Sequence, residues 1–406
     1  MSIVVEKELP KGWILEKLSV ITNKIGDGLH STPVYTNHSD FHFINGNNLR
    51  NGKIAIDEKT KCVNKIEFEK YRIDLSLQTV LLSINGTIGN LAIYNNEKVI
   101  LGKSACYINC KEILIVKYLY FLLQSPQIII YFKGELTQTT ISNLSLKSIR
   151  NTIIPCPPLN EQKRIVAKIE ELFSLVDSAK ETLEKTQVLL KQYRQSILKQ
   201  IFHSKSQQYN LKEIEMNKIF TNRHGDSLPK TKIKQGSYPV FGGNGVVGFH
   251  NENNVDGDVI IVGRVGAQCG NIHFNSGQCW ITDNTIGLIP KTEINIKFFF
   301  YQFKNLELKN ISAGSGQPYI SGKRLSELNI LLTDINEQNK IVEKIEESFS
   351  LIEKNEILID QLLLQYKQIK NSILKQAFEG KLVPQDPNDE PAEVLLQRIR
   401  EEKNGK

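Results

Sequence analysis

The sequence predicts an α+β chain. Two similar globular domains of mixed and antiparallel strands are separated by two long helices packed as an antiparallel coiled coil, and the whole is duplicated about a pseudo-two-fold axis. Three observations predict this. Residues 160–204 and 336–380 are two copies of one stretch, with Asn160 aligning on Asn336 and Gln200 on Gln376, both at an offset of 176. Each copy carries apolar residues spaced alternately by four and three, the heptad pattern of a coiled-coil seam. The segments before the two copies also repeat, but at drifting offsets: Val80-Leu81-Leu82-Ser83 matches Val259-Ile260-Ile261-Val262 at 179, and Gly89-Asn90 matches Gly270-Asn271 at 181. Loops tolerate such drift. A helix does not, because one inserted residue rotates everything after it by about 100°.

The seam of the first copy reads Ile165, Ile169, Leu172, Val176, Ala179, Leu183, Thr186, Leu190, Tyr193 and Ile197. In the second copy it reads Ile341, Ile345, Ser348, Ile352, Asn355, Ile359, Leu362, Tyr366, Ile369 and Ile373. Asn160 and Asn336 are expected as N-caps, each followed by an acidic residue in the first turn. At about 1.5 Å per residue each helix spans roughly 60–65 Å. A narrow apolar stripe needs a partner, and the nearest is its own duplicate, with Ser348 and Asn355 expected to set the register.

The domain plan follows: a first globular domain at 1–159, a long helix at 160–204, a second globular domain at 205–335, a second long helix at 336–380, and a tail at 381–406. The chain has 406 residues, 40% apolar and 23% charged, with a formal net charge of +7, which permits a polyanionic partner. Its start, MSIVVEKELPKGW, carries charges where a signal peptide is apolar. The six cysteines show no CxxC pairing, which suits a reducing cytoplasm. The most apolar run, residues 113–132, is interrupted by Lys117, Gln124, Pro126 and Gln127. It reads as a buried helix ending near Ser125, with no membrane span.

Enzymatic signatures are absent. Gly243-x-Gly245-x-x-Gly248 matches a dinucleotide fingerprint in letters only, because the residues after it, from Phe249 to Asn254, form a turn where a helix must start. There is no GxxxxGK[ST]. Pro157-Pro158 is followed by Leu159, so the aromatic tetrapeptide of amino-methyltransferases is missing. Cys106/Cys110 and Cys269/Cys279 lack histidines at finger spacing, and His30, His38 and His42 read as turn and surface residues.

Polar loops on a β-rich scaffold remain. Their side chains can donate to base edges and phosphates. The candidates in the first domain are His30, Ser31, Thr32, Asn47, Asn85, Thr87, Lys103, Thr139 and Thr140. In the second they are Arg223, Asn244, Arg264, Thr282, Asn284, Gln317, Tyr319, Lys323 and Arg324.

Several motifs carry a resemblance: Pro10-x-Gly12-Trp13, Asp27-Gly28-x-His30-x-Thr32-Pro33, and Pro157-Pro158-Leu159-x-Glu161-Gln162. They are joined by Glu337-Gln338, by Ser196-Ile197-Leu198-Lys199-Gln200 with its copy at Ser372–Gln376, and by the tail from Ala377 to Ala392. Together they resemble the specificity subunit of a type I restriction–modification system over essentially the whole chain. The resemblance implies no catalytic residues. Each globular domain would be a target-recognition domain reading one half of an asymmetric bipartite site on double-stranded DNA, and the helix pair would act as a ruler. Glu161, Gln162, Glu337, Gln338, Leu382 and Pro384 would help to dock two copies of the methylation subunit. S-adenosylmethionine would sit on those partners, while ATP and Mg would sit on restriction subunits, so no cofactor or metal is expected on this chain. The competing reading is a coiled-coil adaptor with two protein-binding heads. A stand-alone DNA methyltransferase is a weaker alternative for want of motifs.

Overall fold

The computed structural model describes residues 9–136, 142–203, 209–314 and 317–404. The chain divides into two compact units, Met1–Glu181 with Leu362–Lys406, and Thr182–Gln361. Each unit holds one globular head, the first half of the long helix that follows it and the last half of the other.

The long helices run Leu159–Ile201 and Ile335–Phe378. Both begin one residue before the expected caps. Gln162 N donates to Pro158 O and Gln338 N to Asp334 O, each at 2.9 Å, and the Asp334 carboxylate accepts from Glu337 N at 3.1 Å. The capping positions are therefore Pro158 and Asp334, and Asn160 and Asn336 lie inside the first turn.

In the first head, the strands Thr22–Asp27, Ala105–Cys110, Thr79–Ser83 and Leu91–Ile93 form an antiparallel sheet in that spatial order. In the second, Phe220–His224, Thr285–Pro290, Val259–Gly263 and Ile272–Asn275 repeat the order and the directions. The inner strands Thr79–Ser83 and Val259–Gly263 have apolar middles because both their faces are covered. Val80 and Leu82 enter the core beneath the helices, while Leu81 turns to a smaller core with Ile44, Leu101 and Tyr107. Ile260 and Val262 split from Val259 and Ile261 in the same way. Alternation along a strand thus serves two cores, which is why no polar residue interrupts it.

A second small sheet recurs as well. Val99–Leu101 runs parallel to Phe41–Ile44, and Trp280–Ile281 parallel to Tyr238–Gly242. Antiparallel pairs, Ile14–Lys17 with Ile153–Cys156 and Lys212–Glu215 with Asn329–Leu332, lead into the long helices. The apolar run at 113–132 is two helices, Val116–Leu123 and Pro126–Gly134. Ser125 caps the second, and Pro126 in its first turn supplies a pre-set φ where no N–H is required. Among the described residues, no helix is long and apolar enough to cross a membrane.

Within each unit the helix halves pack antiparallel. In the first, Lys370 lies 4.6 Å from the Phe173 ring and donates to Asp177 at 2.9 Å, while Tyr366 donates its hydroxyl to the same carboxylate. In the second, Gln187 donates to Asp360 at 2.7 Å, and Arg194 donates to Glu356 at 2.9 Å while lying over Phe349. The contacting stripe departs from the expected seam. It steps four, then four, from Ile165 to Ile169 to Phe173, and thereafter alternates through Val176, Lys180, Leu183, Gln187, Leu190, Arg194, Ile197 and Ile201. The second helix repeats it from Ile341, Ile345 and Phe349 to Ala377, each residue 176 further on. The extra residue at the second step moves Ala179, Tyr193, Asn355, Leu362 and Ile369 to the exposed side. Ser348 and Asn355 bond back to carbonyls of their own helix, so register rests instead on the Asp177, Gln187 and Arg194 pairs.

The tail packs on the first unit. Its helix Ala392–Asn404 buries Ala392 and Leu396. Ala392 N donates to Gly12 O at 3.0 Å, Gln385 donates to Lys11 O at 2.9 Å, and Arg164 pairs with Asp389 at 2.6 Å.

Candidate nucleic-acid interface

In the first head the candidate loops converge at one end of the main sheet. Leu29 bridges Gly102, and Lys103 N donates to Leu29 O at 3.0 Å, which sets His30, Ser31 and Thr32 beside Lys103. Gly46 N donates to Ser104 Oγ at 2.9 Å and Ser104 Oγ to Asn45 at 3.0 Å, so the turn bearing Asn47 joins them. Ile84 N donates to Ser104 O at 3.0 Å, which adds Asn85 and Thr87. All of these residues are exposed except Asn85, which is half-buried and bridges Asn143. His30 is held by Asp27 at 2.8 Å. Thr139 and Thr140 lie outside the described residues.

The second head converges likewise. Asp226 bridges Thr282, Arg264 N donates to Asn284 O at 2.8 Å, and Ile320 N donates to Arg264 O at 2.8 Å. Tyr319 bridges Val265, Gly266 N donates to Pro318 O at 2.9 Å beside Gln317, and Asn271 donates to Asn244 at 3.4 Å. Lys323 and Arg324 ride on the helix Gly322–Ser326 that follows, and Arg324 is held to Ile311 O at 2.9 Å. The Gly243–Gly248 segment makes the hairpin turn and strand Gly245–His250, so no helix starts there.

The two clusters share a backbone device. A Cβ on Gly28 would lie 2.1 Å from Leu101 O, and one on Gly225 would lie 2.0 Å from Thr282 O. Only glycine lets the chain leave the first strand against the neighbouring carbonyl.

Thr282 departs from expectation. It is only 7% exposed, so its hydroxyl lies under the surface. Its Oγ1 is one of several buried atoms here without a hydrogen-bond partner, together with Arg223 Nε, Arg264 Nε and His273 Nε2. Buried polar groups are paired in the great majority of cases. Burial first, and Lys304 second, hold His273 below the ordinary imidazole range, favouring the neutral ring. Sequence reasoning missed His273, Lys304 and Asn254, because only tertiary packing brings them to the loops. Asn254 donates to Asp226 at 2.8 Å and to Ile281 O at 2.9 Å, tying the cluster together.

Glu161, Gln162, Gln338 and Leu382, four of the six expected docking residues, are engaged inside their own units. Gln162 accepts from Ile115 N at 2.9 Å and donates to Ile113 O at 2.8 Å and Pro157 O at 3.0 Å. Gln338 accepts from Asn295 N at 2.9 Å and donates to Thr333 O at 2.8 Å. Both are buried, and within their units they lock head to helix. Glu161 is buried beside Trp13 and accepts from Gln385 at 3.4 Å, and burial pushes its carboxyl up. Leu382 packs on the first core, whereas Pro384 is exposed and Glu337 half-buried.

Burial raises the thiols of Cys110 and Cys156 to about 12, and Cys106 further still, which removes them as nucleophiles. Among the described residues, no group of three or more His, Cys, Asp and Glu side chains is placed to hold a metal.

Comparison with known proteins agrees with this layout. The chain is 24% identical to the type I restriction enzyme EcoKI specificity subunit of Escherichia coli, over 98% of this chain and 96% of that one. The HsdS subunit from Thermoanaerobacter tengcongensis shares the fold at a TM-score of 0.62 and 19% identity, over 93% of this chain and 99% of that one. A chain from a study of complex assembly and conformational transition of the type I R-M system gives a TM-score of 0.71 at 18% identity, over 92% and 100%. The family model described as type I restriction modification DNA specificity domain matches residues 10–187 and 208–364, and the chain belongs to that family.

Proposed function

We propose that this chain is the sequence-reading subunit of a type I restriction–modification complex, each head reading one half of a split, asymmetric site on double-stranded DNA. One observation carries the reading: the same four-stranded sheet, with the same polar loops converging at the same end, occurs twice on different sequences. Duplicated scaffolds with diverged loops suit two unlike half-sites. The long helices, each locked to its head by a buried glutamine, serve as the ruler between them.

The same helices dock two copies of one methylation subunit. Exposed apolar side chains recur 176 residues apart, Leu175 with Leu351, Val188 with Leu364, and Tyr193 with Ile369. Each equivalent place therefore offers the same apolar points, as two identical partners require. Those partners supply S-adenosylmethionine and adenine methylation. Restriction subunits supply ATP- and Mg-dependent cleavage, and the complex works in the cytoplasm.

The test is to combine the purified chain with its cognate methylation subunit and S-adenosylmethionine, then map N6-methyladenine on genomic DNA. One split motif, methylated once on each strand with a constant gap, is the expected outcome. No methylation, or a short uninterrupted motif, returns the chain to the adaptor reading.

A further inference from the structure

Each head carries a pocket that the reading loops do not account for, and it lies in the same place in both. In the first head a cavity of about 410 Å³ is bounded by Arg50, Asn51, Asn90, Tyr120 and Gln124. In the second, a cavity of about 330 Å³ is bounded by Asn271, Lys304, Glu307, Lys309 and Asn310. Asn90 and Asn271 are counterparts at an offset of 181, and Gln124 and Lys304 at 180. Each asparagine follows a left-handed glycine, Gly89 at φ +95° or Gly270 at φ +84°, in the hairpin turn facing the end of the helix beneath. Gly89 leaves open space beside its turn, whereas Gly270 sits close against the backbone of Leu308 and Lys309, so the two pockets share a turn and a helix end but differ in the rest of their lining.

The charge recurs too. The first lining holds one arginine and no acid, and the second holds two lysines and one glutamate, so each is net +1. The remaining polar groups include the primary amides of Asn51 and Asn90 in one head and of Asn310 in the other, while Gln124 donates to Tyr120 O at 3.0 Å and Asn271 to Gln268 at 2.6 Å. Both pockets adjoin the reading loops through their own hairpin. Asn85–Thr87 precede Gly89 in the turn, and Asn271 donates to Asn244 at 3.4 Å. A feature common to heads that read different bases must bind what the two half-sites share. The sequence differs between halves; the phosphodiester backbone does not.

We propose that each pocket seats one DNA-backbone phosphate, held by Arg50 with Asn90 in the first head and by Lys304 and Lys309 in the second. This rests on the two-headed DNA reading above. Burial holds the Lys304 amine below its ordinary range, and a phosphate beside it would restore the charged form.

The test uses the chain assembled with its methylation subunits and a labelled duplex bearing the mapped motif, titrated over a range of salt. Arg50→Gln, and separately Lys304→Gln with Lys309→Gln, should weaken binding several-fold and evenly across altered base sequences. Each lost phosphate contact should lower the slope of log affinity against log salt by about one. Arg50→Lys, which keeps the charge, should retain the slope. A single neutral methylphosphonate linkage in the first half should cost the native complex several-fold and cost the Arg50→Gln complex nothing further. An unchanged slope, or a variant that accepts a different base in the methylation motif, overturns the phosphate pockets while leaving the reader intact. A native complex that binds no split motif overturns both.

Discussion

Gln162 accepts the backbone N–H of Ile115 at 2.9 Å, and its counterpart Gln338 accepts that of Asn295 at the same distance. Each glutamine sits in the first turn of a long helix and reaches the residue before the head's own helix. Removing either strands buried backbone groups, at about 1–3 kcal/mol per group. Gln162→Ala and Gln338→Ala should each lower stability in urea unfolding, by about 2–4 kcal/mol, the first more because it also serves Ile113 and Pro157. Losses under about 0.5 kcal/mol would rule out the lock.

The ruler is tested by length. Adding one heptad to both long helices should widen the gap in the methylated motif and leave both half-sites unchanged. Adding a single residue to each should abolish methylation, since it turns whatever follows by about 100°. A gap that does not respond to the heptad excludes the helices as the spacer.

Base reading and phosphate contact separate by mutation. Asn244→Ala should relax one position in the half-site read by residues 205–335, at about 1–3 kcal/mol of discrimination, and leave the other half untouched. Replacing residues 205–335 with those of a relative should change one half only. Relaxation in both halves would refute independent heads.

Outward apolar residues on the helices should matter for assembly alone. Leu175→Asp with Leu351→Asp should weaken capture of the methylation subunit at both places, while circular dichroism and urea midpoints stay near native. Capture at native strength would move the docking face elsewhere.

Glu161 supplies a pH signature. Burial raises its carboxyl above the ordinary value, so between that value and the raised one the native state holds a proton that the unfolded chain has released. Stability from this group therefore falls as pH rises through that window. Glu161→Gln should flatten the urea midpoint against pH above the ordinary carboxylate range and raise it there. An unaltered profile would show that the carboxyl is better solvated than its position beside Trp13 implies.

The sequence alone determined the duplicated plan, the helices and the antiparallel pairing. A constant offset of 176 and a repeating apolar stripe are properties of spacing, and spacing is written in the chain. It also marked the polar loops, by their clusters of Asn, Ser, Thr, Lys and Arg between apolar strands. Packing decided the rest. Alternate seam positions shifted by one residue because Phe173 and Phe349, one position beyond the strict heptad, fill the space under Lys370 and Arg194. The glutamines of the EQ motif became internal locks because their amides match backbone groups 43 to 49 residues away, which no local pattern reveals. Thr282 went under the surface while His273 and Lys304 came up to the loops. The pockets beside Asn90 and Asn271 exist only where a glycine turn meets a helix end across the sheet. Periodicity is local and survives in one dimension; burial and charge placement depend on neighbours distant in sequence, and only the folded chain supplies them.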